Sequence, residues 1–218
     1  MINFYNKQLE SYQAIKGNKP KVDAFINNDP TKINWSRGLK DDLSRLVKHK
    51  FDKTFIIRGM YRPYYKQWVY FNKYFNDMIY QLPKLFPKQD LENLVICITG
   101  VGAGKDFSAL ITDTIPNLHF HDTSQCFPLY IYSKESEFGE FFERSKTSEF
   151  TRQKNIPNVI LTDFHTTYND SAITKEDIFY YVYGILHSPE YKERFQADLK
   201  KKLPRIPYVE DFWAFSKA

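Results

Sequence analysis

This sequence is poor in the features that most quickly assign a protein. It holds only two cysteines, Cys97 and Cys126, in 218 residues. Two cysteines make no disulfide framework, and Cys97 sits in an apolar run as a buried thiol, so a reducing cytoplasm is the expected setting. No apolar stretch is long enough to span a bilayer; the longest aliphatic run is Leu94 to Ile98. The first residues, MINFYNKQLESYQ, read as a polar helix and not as a basic segment followed by an apolar one, so no signal peptide is expected. Internal repeats and low-complexity linkers are absent as well.

Catalytic signatures are missing too. There is no Asn/Asp-Pro-Pro-Tyr/Phe tetrad, no glycine-rich S-adenosylmethionine loop and no helicase box. Glu-x-Lys occurs once, at Glu190-Tyr191-Lys192, in the first turns of a predicted helix, where it does not resemble a nuclease strand. No serine or cysteine stands in a recognisable nucleophile setting. These absences argue against an enzyme and leave no cofactor or metal expected.

What is present is a globular composition: 42% hydrophobic, 26% charged and 17% aromatic, with a net charge of +5. A chain of this length fits one domain, 1–218, able to bury a core without staples. Its charge is a moderate bias toward anionic partners.

Along the chain, Asn3 to about Lys16 and Leu39 to about Lys48 have helical spacing. Phe55–Ile57, Trp68–Phe71, Leu94–Ile98 and Leu129–Tyr132 read as strands. Glu135 to Gln153 is polar and charged, with partial helix expected, and Val159–Leu161 reads as a short strand or a helix start. Thr174 and Asp177 form a capping-box pattern before an apolar stripe of Ile178, Val182, Ile185 and Leu186. Ser188-Pro189 then starts a second helix, with Tyr191, Phe195 and Leu199 every four residues, ending before Pro204. The sum is α+β: a helical lead-in over 1–50, a β-rich core over 51–170 and a C-terminal helix pair over 171–218.

Three constellations invite a functional reading. GVGAGKD, Gly100 to Asp106, follows a predicted strand like a phosphate loop. It departs from the Walker pattern twice: Thr99 stands where the first glycine belongs, and Asp106 where a magnesium-binding Ser or Thr belongs. Two readings remain: a plain glycine turn, or a close-approach loop that aims Lys105 at a DNA phosphate. Second, Lys32 to Lys66 carries Arg37, Lys40, Arg45, Lys48, Lys50, Lys53, Arg58 and Arg62 against Asp41, Asp42 and Asp52, with Tyr61, Tyr64, Tyr65 and Trp68 interleaved. Such a mixture suits nucleic acid, and equally a solvated helix followed by an aromatic core. Third, His119 and His121 alternate near Asp122 and Cys126. The spacing matches no common zinc site. In extended chain the two imidazoles point one way, where they or Gln125 could meet a base edge.

Several segments, in order, resemble the C-terminal target-recognition region of single-chain Type ISP restriction–modification enzymes. They are Asp29–Leu43 (DPTKINWSRGLKDDL), Tyr61–Phe71 (YRPYYKQWVYF), Asn93–Phe120, Gln125–Tyr132 (QCFPLYIY) and Ile178–Pro207, the last within the most diagnostic stretch, Glu176–Phe215. The resemblance implies recognition of double-stranded DNA by sequence, with no chemistry in this piece. It implies methyltransferase and helicase/nuclease domains, of the same polypeptide or system, as partners. A fragment with a cryptic nuclease or methyltransferase function, and a docking module for the methyltransferase domain, are the alternatives. Charge and position select Arg58, Arg62, Lys66 and Lys105 for phosphate or guanine contacts, and His119, His121 and Gln125 for base edges. Lys200, Lys201 and Lys202 are read as cations favourably placed at a helix end.

Overall fold

The computed structural model describes residues 1–117, 119–134 and 149–218. The architecture is α+β, as the hydrophobic periodicities predict. The chain divides into two compact units. One is Met1–Ile57 with Trp68–Tyr80; the other is Arg58–Gln67 with Gln81–Ala218.

The first unit is built on helices α1 (Ile2–Gln13), α2 (Val22–Phe25) and α3 (Arg37–Ser44). Tyr5, Leu9 and Tyr12 form the buried stripe of α1, and Leu39 and Leu43 that of α3. Ser36 caps α3 by accepting from the Leu39 amide at 3.0 Å. Buried Tyr5 keeps its hydroxyl satisfied by donating to the Val47 carbonyl at 2.9 Å. Lys40 and Lys48 of the basic stretch are engaged here, with Asp23 at 2.7 Å and Glu10 at 3.0 Å. The stretch is therefore divided: its residues through Ile57 belong to the first unit, and Arg58–Lys66 to the second.

The chain leaves the first unit along β1 (Ile56–Arg62) and returns along β2 (Tyr65–Tyr70). After α4 (Leu82–Leu85) come β3 (Val95–Ile98), β4 (Ala109–Thr112), β5 (Ile115–Pro116), β6 (Gln125–Pro128), β7 (Tyr130–Lys134) and β8 (Phe150–Lys154). Fully buried β3 is the centre of an antiparallel sheet ordered β4-β3-β6. Two-residue β5 pairs in parallel with β1, Gly59 opposite Ile115 and Met60 opposite Pro116. β7 and β8 form a separate hairpin. Most of the polar stretch Glu135–Gln153, residues 135–148, lies outside the described residues; its end enters β8 as strand.

Helices close the second unit: α5 (Asn158–Tyr168), α6 (Lys175–His187), α7 (Pro189–Arg194), α8 (Gln196–Leu199) and α9 (Phe212–Ser216). Val159–Leu161 lies in a helix, α5, and not in a strand. The Thr174–Asp177 capping box is formed in both directions, and Ser188 caps α7 with Pro189 in its first turn. The predicted second helix of the pair is interrupted at Phe195, whose ψ of 15° leaves the helical region, so α7 and α8 stand as two short pieces. Phe195 is only partly buried and packs against the core from its edge. Gly184 faces α9: a Cβ there would lie 2.3 Å from the Phe215 carbonyl oxygen, so only glycine allows this approach.

Spacing along the chain gives no hint of one pair. Cys97 and Cys126 are directly opposed on β3 and β6, with their sulfurs 3.6 Å apart. Opposed residues on antiparallel strands have Cα atoms about 4.5–5.5 Å apart, inside the window a disulfide needs. The hydrogen bond between the thiols holds the Cys126 pKa down and, with burial, pushes that of Cys97 up. Partly exposed Cys126 is thus the thiol that peroxide meets first, and Cys97 the one placed to resolve its sulfenic acid with release of water. Hydrogen peroxide is expected to convert the pair to an intramolecular disulfide, seen by mass spectrometry as loss of two hydrogens. Oxygen adducts on Cys126 with Cys97 still alkylatable after unfolding would contradict this.

Candidate nucleic-acid interface

All seven side chains selected from the sequence lie in the second unit. They fall into two groups, one on the β1–β2 hairpin and one on loops at one end of the β4-β3-β6 sheet.

On the hairpin, Arg58 and Arg62 are four residues apart on one strand, so the two-residue period directs them to the same face; both are exposed. The Arg62 guanidinium lies over the Tyr61 ring at 4.3 Å from its centroid, and Nη1 donates to the Tyr61 carbonyl at 3.0 Å. The ring shields one guanidinium face while hydrogen-bonding capacity at its edge remains for an acceptor. Lys66 is engaged: its Nζ reaches Asp113 Oδ1 at 2.6 Å, in the turn joining β4 to β5. A phosphate at Lys66 has to compete with that carboxylate.

The loop group is organised by backbone packing. β3 ends at Ile98, which pairs with Ala109 on one side and Gln125 on the other. The Gly100–Asp106 loop and the start of β6 therefore emerge at the same end of the sheet. Asn117 and residues 119–124 lie in the adjoining loop, with Asp122 and Thr123 both at left-handed φ, 71° and 50°. Gly100 lies hard against it. A Cβ on Gly100 would fall 2.0 Å from the Thr123 carbonyl oxygen and 2.7 Å from Oγ1.

This packing decides what GVGAGKD can do. A phosphate cradle needs free backbone N–H groups. Here the Gly100 amide points to the Asp122 carbonyl at 3.4 Å, that of Gly102 to the Lys200 carbonyl at 3.2 Å and that of Ala103 to the Gly100 carbonyl at 3.2 Å. The Gly104 amide donates to the Asp122 carboxylate at 3.1 Å. The protein's own acid occupies the place a phosphate oxygen would take. Asp106 is paired with Lys200 Nζ at 3.1 Å, so one of the terminal lysines holds this loop. Lys105 itself is exposed.

The histidines do not share a direction, because their loop is not extended. His119 is exposed, its amide held by Asn117 Oδ1 at 2.8 Å. His121 is buried, its amide bonds Ser124 Oγ at 2.7 Å, and its Nε2 meets no hydrogen-bond partner among the described residues. Burial pushes the His121 pKa down, so its ring is neutral near pH 7. Gln125 is exposed as the first residue of β6. Among the described residues no three His, Cys, Asp or Glu side chains come together as a metal-binding group.

The structure thus brings Lys105, His119, His121 and Gln125 to adjoining loops, and Arg58, Arg62 and Lys66 to one hairpin. Parallel pairing of β5 with β1 links the groups: the Asn117 amide, at the head of the histidine loop, donates to the Met60 carbonyl at 2.9 Å. Sequence reasoning missed Asp113, which engages Lys66, and weighed Asp122 only beside the histidines, not as the acid that holds the glycine loop. Neither pairing carries a sequence signal, since each acid acts across the fold.

Comparison with known proteins bears on this arrangement. The profile of the Type ISP C-terminal specificity domain matches residues 1–218. The chain belongs to that family. Among solved structures, it resembles the DrdV–DNA complex determined by cryo-electron microscopy, at 33% identity and a TM-score of 0.81 over 99% of this chain and 19% of that one. A nuclease-deletion mutant of the Type ISP restriction–modification enzyme LlaGI, in complex with a DNA substrate mimic, matches at 30% identity and 0.79 over 100% of this chain and 18% of that one. The ATP-dependent Type ISP restriction–modification enzyme LlaBIII bound to DNA matches at 28% identity and 0.79, over 99% and 13%. This specificity domain therefore spans less than a fifth of the chains it resembles. A search of curated proteins finds no match.

Proposed function

We propose that this specificity domain recognises double-stranded DNA by sequence for a Type ISP restriction–modification enzyme and performs no chemistry itself. The observation that carries the reading is the match of the entire chain to a specificity domain, with two DNA-bound Type ISP enzymes among its structural neighbours. Methyltransferase and helicase/nuclease domains of the same polypeptide or system are its proposed partners. The engaged amides of the Gly100–Asp106 loop weigh against a nucleotide-hydrolysing alternative.

In this reading the hairpin arginines and the Lys105 loop form one basic face. Lys105, a flexible point charge, contacts a phosphate. Arg62, its plane fixed on Tyr61, presents its edge to a guanine. Gln125 and His119 are the exposed base-edge candidates, and His121 supports the loop from inside. Arg58 and Lys66 hold the backbone, Lys66 by exchanging Asp113 for phosphate.

Selection from a random duplex pool followed by sequencing is expected to enrich one motif. Lys105→Ala is expected to weaken binding to all duplexes alike and lower the salt-dependence slope by about one unit. Arg62→Ala is expected to relax preference at a single position, by about 1–3 kcal/mol. Absence of any enriched motif, or metal-dependent cleavage of the pool, would count against the reading.

A further inference from the structure

The tip of the β1–β2 hairpin combines strain with exposure. Pro63 and Tyr64 connect the strands, and Tyr64 has φ of 63°, in the left-handed region. Turns with a positive φ favour Gly, Asn or Asp, and a bulky side chain there is an outlier. Burial does not offset the strain, because Tyr64 is 87% exposed. A large ring held in water on an unfavourable backbone is the kind of outlier that points to use on binding.

Its neighbours indicate what would cover it. Tyr61 is committed within the hairpin, edge-to-face with Tyr65 at 6.4 Å and under the Arg62 guanidinium. Arg62 ends β1 beside the tip, and Lys66 follows it on β2, bound to Asp113. A protruding aromatic ring among cations suits a partner with flat π-faces strung on negative charge, which is a nucleic acid. A protein surface would need an unpaired acid to meet Arg62.

We propose that Tyr64 is a wedge: on binding, its ring leaves water and stacks against a base at a step the protein opens. This inference rests on the reading that the domain binds duplex DNA, and adds the residue that deforms it. Opening a base step costs stacking energy, least where the pair is already mismatched. A wedge therefore shows itself as a preference for a mismatch, whatever the target sequence.

The test compares binding of the 218-residue chain to matched duplexes of random sequence and to the same duplexes with one central mismatch. The wild type is expected to bind the mismatched set about tenfold more tightly, the scale of one aromatic–base stack. Tyr64→Ala should abolish that preference, and Tyr64→Phe should retain it. Tyr64→Gly should lose it and yet melt higher than wild type, because the backbone strain is released; a higher melting point also shows that the loss is not misfolding. Equal binding of both sets by the wild type, or a preference that survives Tyr64→Ala, overturns the wedge. The two readings fail separately. A selection that enriches no motif, alongside a ring-dependent mismatch preference, rejects target recognition and keeps the wedge. An enriched motif with no ring dependence does the reverse.

Discussion

Tyr181→Ala is expected to destabilise the second unit by about 3–5 kcal/mol, the range for removing a large buried aromatic. Tyr181 is fully buried on α6 and stacks on Phe212 of α9, centroids 4.9 Å apart. Its hydroxyl donates to the Pro207 carbonyl at 2.6 Å and accepts from the Val209 amide at 3.0 Å. Two other tyrosines act alike: Tyr168 donates to the Val209 carbonyl at 2.9 Å and Tyr191 to that of Arg205 at 2.9 Å. Residues 203–209 have no regular structure, and these hydroxyls tie their backbone to the core. Tyr181→Phe separates packing from hydrogen bonding. It keeps the ring but removes the hydroxyl's bonds to Pro207 and Val209, each with a net contribution of about 0.5–1.5 kcal/mol. Urea denaturation reads both effects as a lower midpoint at constant slope. A Phe variant as stable as wild type would show that the hydroxyl contributes no net stability.

Gly100→Ala is expected to damage stability and DNA binding together. The added methyl would overlap the Thr123 carbonyl, a backbone atom that cannot rotate away, so the two loops must separate. Overpacking of this kind costs about 1–3 kcal/mol or more. Separation also frees the Gly104 amide from Asp122 and displaces Lys105 from the Gln125 end of β6. Gly102→Ala is the control. Gly102 has φ of 77° but open space around its Cβ, so alanine there meets only the left-handed penalty of about 1–2 kcal/mol. The expected order in duplex affinity is wild type, Gly102→Ala, then Gly100→Ala well below both. Equal losses at the two positions would mean that the close approach to Thr123 does not position the site.

The sequence by itself determined the elements whose signals are local. The Thr174–Asp177 box, the Ser188-Pro189 start and the buried run Val95–Ile98 needed only capping chemistry and periodicity, and each stands in the fold. Ordered segments spread along the chain also sufficed for the family, because recognition of a family tolerates ignorance of contacts. The helix break at Phe195 and the helical state of Val159–Leu161 were not readable, since apolar spacing over so few residues fits more than one conformation. Tertiary structure alone decided the site. It set Cys97 against Cys126, Asp113 against Lys66 and Asp122 against the Gly104 amide, pairs separated by 29, 47 and 18 positions. It divided a basic stretch that is continuous in sequence, placing Lys40 and Lys48 in one unit and Arg58 and Arg62 in the other. It also turned His121 inward and His119 outward, because residues 119–123 form turns and bends where period-two reasoning assumes extended chain. Helix caps are settled by neighbours along the chain, whereas the charge and reach of a surface side chain are settled by whichever group the fold places beside it.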